Sequence, residues 1–335
     1  MSGPFSPSDN ALPGLADLLG LFISPRTRQG WNDRFDHWKR PASVTESGTI
    51  ERAQSNVTDA ISGNGWLRQE RICILPQGSY YNNTNVRNEA DIDLRALHPL
   101  VKIEYAANVL QDCAWTALGY SHYGVTLDQV FNRMRAELTA DLTRQFGQQN
   151  VIAGQKALRI KGITGSRAEV DVVPAVRFHY VLWRADVSQY VMVEGIAILA
   201  SDGRWTMNFP EQHHANGIDK RARTAHRFKR VVRILKRLRS DLKDRGLLTV
   251  TVPSFLVECL VYLVEDQYFL VEGDDQYGRV RRIAHRLQAL LANSQAVAQM
   301  TEINGVKLLF HPAQGWTYQD ALTFANTVVA QLGNL

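Results

Sequence analysis

The most informative part of the sequence is Gln-Gly-Ser-Tyr-Tyr at residues 77–81, followed after a polar loop by Ala-Asp-Ile-Asp-Leu at residues 90–94. Asp91 and Asp93 are two positions apart, so on a strand both carboxylates project from one face and Ile92 and Leu94 from the other. Two carboxylates held this close repel each other unless a cation lies between them. Oxygen ligands suit Mg²⁺, which typically binds one or two carboxylates together with phosphate oxygens of a substrate. The stretch therefore predicts a strand that holds a metal ion.

Gly78 and Ser79 follow the apolar run at residues 72–75. Glycine permits a sharp turn and a close approach of the backbone, and Ser79 offers a hydroxyl and an amide to a phosphate. The alternative for Gly-Ser is an ordinary turn, and the alternative for the Asp-x-Asp pair is the solvated face of a strand. The pattern predicts a triphosphate cradle beside the metal-holding strand.

A third carboxylate has a similar setting. Asp171 lies between Val170 and Val172, in a β-branched run typical of a strand. A neighbouring strand could carry Asp171 beside Asp91 and Asp93 and complete a two-metal site. The three elements together are more specific than any one of them.

These motifs resemble the signature of the DNA polymerase β-like nucleotidyltransferases. Gly78-Ser79 is followed, after eleven residues, by Asp91-Ile-Asp93 and later by Val-Asp-Val-Val-Pro at residues 170–174. The fuller pattern is similar to the bacterial branch related to cyclic GMP-AMP synthase and oligoadenylate synthase, the CD-NTases of anti-phage signalling. The resemblance extends from about Ser47 to about Leu291.

The resemblance implies an α+β, bilobed fold, with a polymerase β-like nucleotidyltransferase core around a small mixed sheet and a C-terminal helical lobe. We expect an irregular N-terminal arm at residues 1–26. Residues 27–210 would form the core with an N-terminal spine helix, and residues 211–335 the helical lobe. A few strands mixed with helices fit such a sheet better than a doubly wound fold.

The resemblance also implies the chemistry. Asp91 and Asp93 would hold the Mg²⁺ that binds the triphosphate, and with Asp171 they would hold a second Mg²⁺ that lowers the pKa of the acceptor's ribose hydroxyl. Mn²⁺ is an expected substitute. Attack on the α-phosphate would expel pyrophosphate, and a second round would close a cyclic di- or trinucleotide.

The resemblance also implies nucleotide contacts, which we assign to the residues of this sequence at the matching motif positions. Gln77, Gly78 and Ser79 would form the phosphate turn, while Lys236 and Ser254 would hold the β- and γ-phosphates. Ser254 also has a physical reason, because the start of a helix presents free amides to an anion. Phe255 would stack on the base, although a core phenylalanine on an apolar helix is an equal alternative.

The expected substrates are ATP, GTP or pyrimidine nucleoside triphosphates, without a required nucleic acid. Regulatory or effector proteins of a CBASS anti-phage system are expected partners, and the cytoplasm is the expected compartment.

Two other functions stay open. The acceptor could be an RNA 3′ end, a protein side chain or a small molecule, and an RNA acceptor would use the basic stretch at residues 220–245 and show steep salt dependence. The chain could also be a catalytically silent nucleic-acid-binding protein of the same fold. The presence of all three acidic positions argues against this last alternative.

Composition limits the classes of protein. The chain has 335 residues, 45% of them apolar, and seven tryptophans, which is typical of a globular protein. No apolar run approaches the roughly 18 residues of a membrane span, and the N-terminus lacks a secretory pattern. Cys73, Cys113 and Cys259 lack metal-ligand spacing, so we expect reduced and mostly buried thiols. The net charge of +5 suits anionic substrates as well as an ordinary soluble protein.

Periodicity predicts a helix from Ile50 that ends at Gly63, and a helix from Thr126 through Phe146. Strands are predicted at 72–75, 91–96, 157–160, 170–180 and 191–199, with a hairpin turn at Asp202-Gly203. The segment 99–124 has no clear pattern. Four helices are predicted after Pro210, at Ile218–Arg245, Ser254–Phe269, Asp275–Asn293 and Tyr318–Leu332.

Twelve basic residues lie within 220–245, beside an apolar stripe at helical spacing. We expect most of these charges on a solvated surface, with a nucleic-acid-binding stripe as the alternative. His213-His214 is interpreted as a loop pair of surface histidines, because no third nitrogen or sulfur ligand is suitably spaced.

Overall fold

A computed structural model describes residues 24–41, 44–86, 92–163, 167–273 and 275–333. Most of the predicted N-terminal arm lies outside these residues, and so does Asp91. Its neighbours Ile92 and Asp93 begin the second strand of the sheet.

Seven strands of the described chain form one mixed sheet. They are β1 (Cys73–Gln77), β2 (Ile92–Tyr105), β3 (Val151–Ala153), β4 (Leu158–Ile160), β5 (Val170–Arg184), β6 (Gln189–Leu199) and β7 (Trp205–Asn208). Their order is β1-β2-β5-β4-β3, with β6 on β5 and β7 on β6. Only β2 and β5 pair in parallel among these strands, and the other pairs are antiparallel. The predicted mixed sheet is confirmed.

Six α-helices of the described chain precede β3, and all but the first of them pack with the sheet. They are α1 (Arg28–Trp38), α2 (Val44–Ile61), α3 (Gly65–Gln69), α4 (Gly78–Tyr81), α5 (Gln111–Ala117) and α6 (Leu127–Phe146). Val57 of α2 and Leu138 of α6 are fully buried and share a hydrophobic cluster with Leu94 and Val172 of the sheet. Thr126 caps α6 through a reciprocal pair of hydrogen bonds with Gln129, which confirms the predicted start of that helix.

The remaining helices form a second lobe around their own core. They are α7 (Pro210–Arg223), α8 (Arg227–Asp244), α9 (Ser254–Leu263), α10 (Gln276–Leu291), α11 (Ser294–Val297) and α12 (Tyr318–Leu332). Trp31 and Phe35 of α1 are fully buried in this same core, beside residues such as Phe228 and Phe324. The domain boundaries stay predictions, but α1 packs with the helical lobe although its sequence position falls in the range 27–210.

Two of the predicted helices are each broken once. The helix predicted at Ile218–Arg245 is α7 and α8, separated where Ala225 and His226 adopt left-handed conformations. The buried hydroxyl of Thr224 donates to the carbonyl of Lys220 and accepts from the amide of Phe228, so one side chain ends α7 and caps α8. The sequence offers no glycine or proline there, which is why periodicity missed the break.

The helix predicted at Ser254–Phe269 ends at Leu263 and resumes as a 3₁₀ turn at Asp266–Phe269. Val264 between them is extended. The buried ammonium of Lys220 donates to the Val264 carbonyl at 2.8 Å and to the Asp266 carboxylate at 2.9 Å. A long-range contact therefore stabilises this break, and local sequence could not reveal it.

Two smaller expectations change. β2 runs to Tyr105, nine residues beyond its predicted end, and the unassigned segment 99–124 contains the rest of β2 and α5. The three cysteines are free as predicted, but Cys73 and Cys113 are exposed, so the expectation of mostly buried thiols was wrong. Within the described residues, no helix has the length and apolarity needed to cross a membrane.

The packing of α1 gives a testable prediction. Trp31→Ala removes a fully buried indole from the helical core, and such truncations cost about 3–5 kcal/mol of unfolding free energy. Urea unfolding followed by circular dichroism measures this cost. Trp183→Ala is the matched control, because Trp183 is 37% exposed, and it should change the midpoint little. Equal midpoints for Trp31→Ala and wild type would contradict the assignment of α1 to the core.

Candidate active site

One row of side chains crosses four strands of the sheet. Gln77 lies opposite Asp93, Asp93 opposite Asp171, and Asp171 opposite Arg159. Residues directly opposite each other on adjacent strands project from the same face, and adjacent strands lie about 4.8 Å apart. The structure therefore brings two of the three predicted carboxylates together, from positions 78 residues apart in the chain.

Gly78 lets the phosphate turn approach the first of these carboxylates. Its φ of +73° is in the left-handed region, and a Cβ there would lie 1.9 Å from Oδ2 of Asp93. No other residue type fits this position without moving the carboxylate. The predicted pairing of a Gly-Ser turn with the Asp-x-Asp strand thus has a steric basis, although Gly78 begins the one-turn helix α4 and not a simple turn.

Asp171 has a cationic partner in the row. Nε of Arg159 is 3.0 Å from its Oδ1, and Nη2 is 3.3 Å from its Oδ2. The side chain of Asp171 is 17% exposed, and that of Arg159 is 47% exposed. The negative charge that two adjacent carboxylates create is thus partly balanced by the chain itself.

The donor set fits a hard divalent cation. Asp93 and Asp171 supply only oxygen, and Gly78 leaves space beside Asp93 that a side chain would fill. Within the described residues, no group of three acidic, histidine or cysteine side chains is arranged to hold a metal ion, and Asp91, the third predicted ligand, lies outside these residues. These residues would hold the predicted Mg²⁺.

A buried polar cluster lies behind the Gly-Ser turn, and we call its four members Glu258, Lys236, His213 and Thr84 the Glu258 cluster. The Glu258 carboxylate accepts from Lys236 Nζ at 2.9 Å and from Thr84 Oγ1 at 2.7 Å, and its other oxygen is 3.1 Å from Nε2 of His213. The amide of Thr84 in turn donates to the carbonyl of Ser79 at 2.9 Å. The cluster therefore joins α7, α8 and α9 of the helical lobe to the turn in the other lobe.

Glu258 is ionised within this cluster. Burial raises the pKa of its carboxyl, but the charge of Lys236 and the hydrogen bonds from His213 and Thr84 outweigh burial and bring the pKa below its ordinary range. A charge this deeply buried is tolerable only when paired. Lys236, which is 1% exposed, is thus committed to a protein carboxylate, whereas the sequence predicted a phosphate contact.

Ser254 and Phe255 lie at the start of α9, one turn before Glu258. No side-chain hydrogen bond caps this helix, and Ser254 is half-buried, so the first amides of α9 have no capping side chain. Phe255 is 36% exposed and therefore not a core residue. Its ring stacks on His213 at 5.6 Å and lies 6.1 Å from the ring of Trp316.

The basic stretch is less solvated than expected. Its apolar stripe is buried as predicted, but four of its twelve basic residues are buried as well: Lys220, Lys229, Arg233 and Lys236. Arg233 donates to the carbonyls of Lys39 and Asn83 at 2.8 and 2.6 Å. The expectation of a solvated surface was wrong for this inward-facing side of α8.

Lys229 has no such partner. It is 5% exposed, and no hydrogen bond or ion pair from its ammonium is formed with the described residues. Burial lowers the pKa of Lys229 to about 8; Glu258 opposes this shift, and Arg221 and Arg233 add to it. This ammonium, whose pKa burial lowers and which has no hydrogen bond or ion pair among the described residues, is a candidate anion contact that the sequence did not single out.

The histidine pair is not on a loop. His213 and His214 lie within α7, His213 is buried in the Glu258 cluster, and His214 stacks on Tyr81 of α4 with ring centroids 3.9 Å apart. His214 also contacts the side-chain oxygen of Asn82 at 3.0 Å. The prediction of surface histidines was wrong because both pack between the lobes.

Sequence reasoning missed Glu258 and Arg159. Glu258 carried a signal, because a single acidic residue within the apolar run at 255–261 must be paired if the helix is buried. Arg159 carried none, since only the register of β4 against β5 places it beside Asp171.

Comparisons with known proteins identify relatives of this chain. A family model for the cGAS/DncV-like nucleotidyltransferase C-terminal helical domain matches residues 215–333. A cyclic dipyrimidine nucleotide synthase, CdnE, of Legionella pneumophila is 34% identical over 301 residues, covering 89% of this chain and 96% of the relative. A cyclic dipurine nucleotide synthase of Elizabethkingia meningoseptica is 32% identical over 307 residues, covering 89% of this chain and 96% of the relative.

A solved structure shows the same fold over nearly the whole chain. The CdnE cyclic dinucleotide synthase of Elizabethkingia meningoseptica, in complex with GTP and Apcpp, aligns with a TM-score of 0.70 and 30% identity, covering 90% of this chain and 99% of that one. The matched helical domain, the full-length relatives and the shared bilobed fold lead to one conclusion: the chain is a nucleotidyltransferase and belongs to the cGAS/DncV-like family, the CD-NTases.

Proposed function

We propose that this protein joins two or more nucleoside triphosphates into a cyclic oligonucleotide, with release of pyrophosphate and dependence on Mg²⁺. The observation that carries the proposal is the register of β2 against β5, which sets Asp93 opposite Asp171 beside Gly78. A role in anti-phage signalling rests on the resemblance alone and stays a prediction.

The chain's own residues have distinct tasks in this reaction. Asp93 and Asp171, with Asp91, hold the divalent cations, and when bound these supply charge neutralisation for the triphosphate and lower the pKa of the acceptor hydroxyl. Ser79 presents its amide and hydroxyl to the phosphates, and the uncapped start of α9 at Ser254 offers further amides. Phe255 offers a partly exposed ring to a base.

Sequence similarity to relatives does not determine which bases the product contains. The two relatives that share about a third of their residues with this chain are named for dipyrimidine and dipurine products respectively. The structure of the solved relative was determined with GTP and Apcpp. We therefore propose nucleoside triphosphates as the substrate class and leave their bases to the product analysis below.

The experiment is a product analysis. Wild-type protein incubated with ATP, GTP, CTP, UTP and Mg²⁺ should give a cyclic oligonucleotide that mass spectrometry identifies. Asp93→Asn/Asp171→Asn should lower product formation by at least about a thousandfold, since carboxylates that hold the cations supply several kcal/mol of transition-state stabilisation. EDTA should abolish product formation by the wild type.

The matched control is Asp186→Asn. Asp186 is an exposed carboxylate at the far end of the same sheet, paired with Arg184, and its removal should leave the rate unchanged. Undiminished product from Asp93→Asn/Asp171→Asn would contradict the proposal. Product that forms only after RNA, a protein or a small acceptor is added would favour the alternative of transfer to another acceptor.

Lys236 and Lys229 compete for the role of phosphate contact. Lys236 was predicted from motif position, but its ammonium is bound to Glu258. Lys229 lies two turns earlier on the same side of α8, and its ammonium forms no hydrogen bond or ion pair with the described residues. We propose that Lys229 contributes to phosphate binding, while Lys236 acts through the Glu258 cluster that positions Ser79.

Stability separates the two lysines. Lys236→Met leaves Glu258 buried with one fewer cation, and breaking such a pair costs about 3–5 kcal/mol. Lys229→Met removes a buried unpaired charge and should raise the unfolding midpoint. Its folded pKa of about 8 lies below the ordinary value, so the gain is full below pH 8 and is lost as pH rises to about 10.4, where the lysine is neutral in both states.

Kinetics complete the comparison. Lys229→Met should raise KM for the nucleoside triphosphates without loss of stability, whereas Lys236→Met should lower stability and kcat together. A Lys229→Met variant with wild-type KM, or one less stable than wild type at pH 7, would contradict the assignment.

A further inference from the structure

Arg159 ends the row of side chains that contains the candidate metal ligands. It lies directly opposite Asp171 and reaches both oxygens of that carboxylate, with Nε at 3.0 Å and Nη2 at 3.3 Å. A guanidinium that spans both oxygens of a carboxylate is a strong, directional pairing. Asp171 is therefore held by the protein itself through the oxygens that a cation would need.

Arg159 has a second carboxylate within reach. Its Nε lies 3.3 Å from Oε1 of Glu169, which is two residues before Asp171. The side chain of Arg159 is 47% exposed and that of Glu169 is 32% exposed, so the guanidinium has room to move between the two. If the guanidinium of Arg159 moved away from Asp171, its charge would still be paired, because Glu169 would remain as a partner.

We propose that Arg159 is a positioning residue that holds both oxygens of Asp171 until a second divalent cation binds them. The guanidinium of Arg159 then pairs with Glu169 instead. The proposal rests on the proposed function, because it needs Asp171 to be a metal ligand. A carboxylate that accepts two N–H bonds has fewer lone pairs free for a cation, and the guanidinium charge repels the cation as well. Arg159 thus weakens the second site while it keeps Asp93 and Asp171 from repelling each other before that site fills.

Metal binding tests this without reference to catalysis. Mn²⁺ is titrated into nucleotide-free protein, and the free ion is measured by electron paramagnetic resonance at constant ionic strength. The Mn²⁺ binding that is lost in Asp171→Asn is assigned to the site at Asp171. In Arg159→Gln this binding should tighten by about tenfold, the equivalent of about 1.4 kcal/mol.

The variants Arg159→Lys and Arg184→Gln distinguish the effect of the two hydrogen bonds to Asp171 from the effect of positive charge alone. Arg159→Lys keeps the positive charge but cannot span both oxygens, so Mn²⁺ should bind it several-fold more tightly than wild type. Arg184→Gln breaks a similar pair, with Asp186, at the far end of the sheet, and should bind Mn²⁺ like wild type. Wild-type affinity in Arg159→Lys, or a tenfold gain in Arg184→Gln, would overturn the proposal.

Glu169 is tested through a double-mutant cycle. Glu169→Gln removes the alternative partner and should weaken Mn²⁺ binding several-fold. In the Arg159→Gln background the same change should have little further effect, because Glu169 acts through the guanidinium. An equal loss in both backgrounds would show a direct charge effect and would overturn the role of Glu169.

The outcomes for this proposal and for the proposed function differ. If wild-type protein and Arg159→Gln both fail to bind Mn²⁺ at Asp171, the two-metal site itself is absent and the proposed function fails. If Mn²⁺ binds at Asp171 with equal affinity in wild type, Arg159→Gln and Arg159→Lys, only the proposed role of Arg159 fails. Thermal unfolding of each variant checks that the half-exposed Arg159 is dispensable for folding.

Discussion

The parallel pairing of β2 with β5 is the constraint on which the candidate site depends. Its register sets Asp93 opposite Asp171. Because side chains alternate along a strand, a shift of the register by one residue would place a valine opposite Asp93. Asp93 and Asp171 would then project from different faces of the sheet. The pairing continues over most of both strands, as far as Tyr105 and Val181, so many backbone hydrogen bonds fix the position of two side chains. The buried apolar residues beside the carboxylates, such as Ile92 and Val172, anchor the register from the opposite face.

A second constraint joins the lobes. The Glu258 carboxylate is buried among Lys236 and His213 of the helical lobe and Thr84 of the other lobe, and its contact with Thr84 would be lost if the lobes separated. Thr84 carries the connection to the carbonyl of Ser79, so the position of the phosphate turn depends on a charge in the helical lobe. Buried ion pairs contribute little net stability compared with apolar packing, but they are strongly directional. Here that directionality aligns the turn with the start of α9.

Local patterns were enough for much of the fold. The strands around Asp93 and Asp171, the capped α6 and the final helix follow from periodicity, caps and β-branched runs. Periodicity failed at α7 and α8, where the buried hydroxyl of Thr224 and two left-handed residues divide one predicted helix into two. It failed again after Leu263, where Lys220 binds the extended backbone at Val264. In both places a side-chain contact overrides a pattern that would by itself continue the helix.

The kind of chemistry could be predicted from the sequence, because carboxylate spacing on a strand and a Gly-Ser turn are local properties of the chain. Gly78 was part of that prediction, but the reason that no other residue fits there, the closeness of Asp93, is visible only in three dimensions. The pairing of cations with anions is set by the tertiary structure: Arg159 holds Asp171, Lys236 pairs with Glu258, and Lys229 forms no ion pair with the described residues. These pairings join residues from separate strands and helices, and burial, which sets the energy of each charge, is a property of the folded chain and not of its sequence.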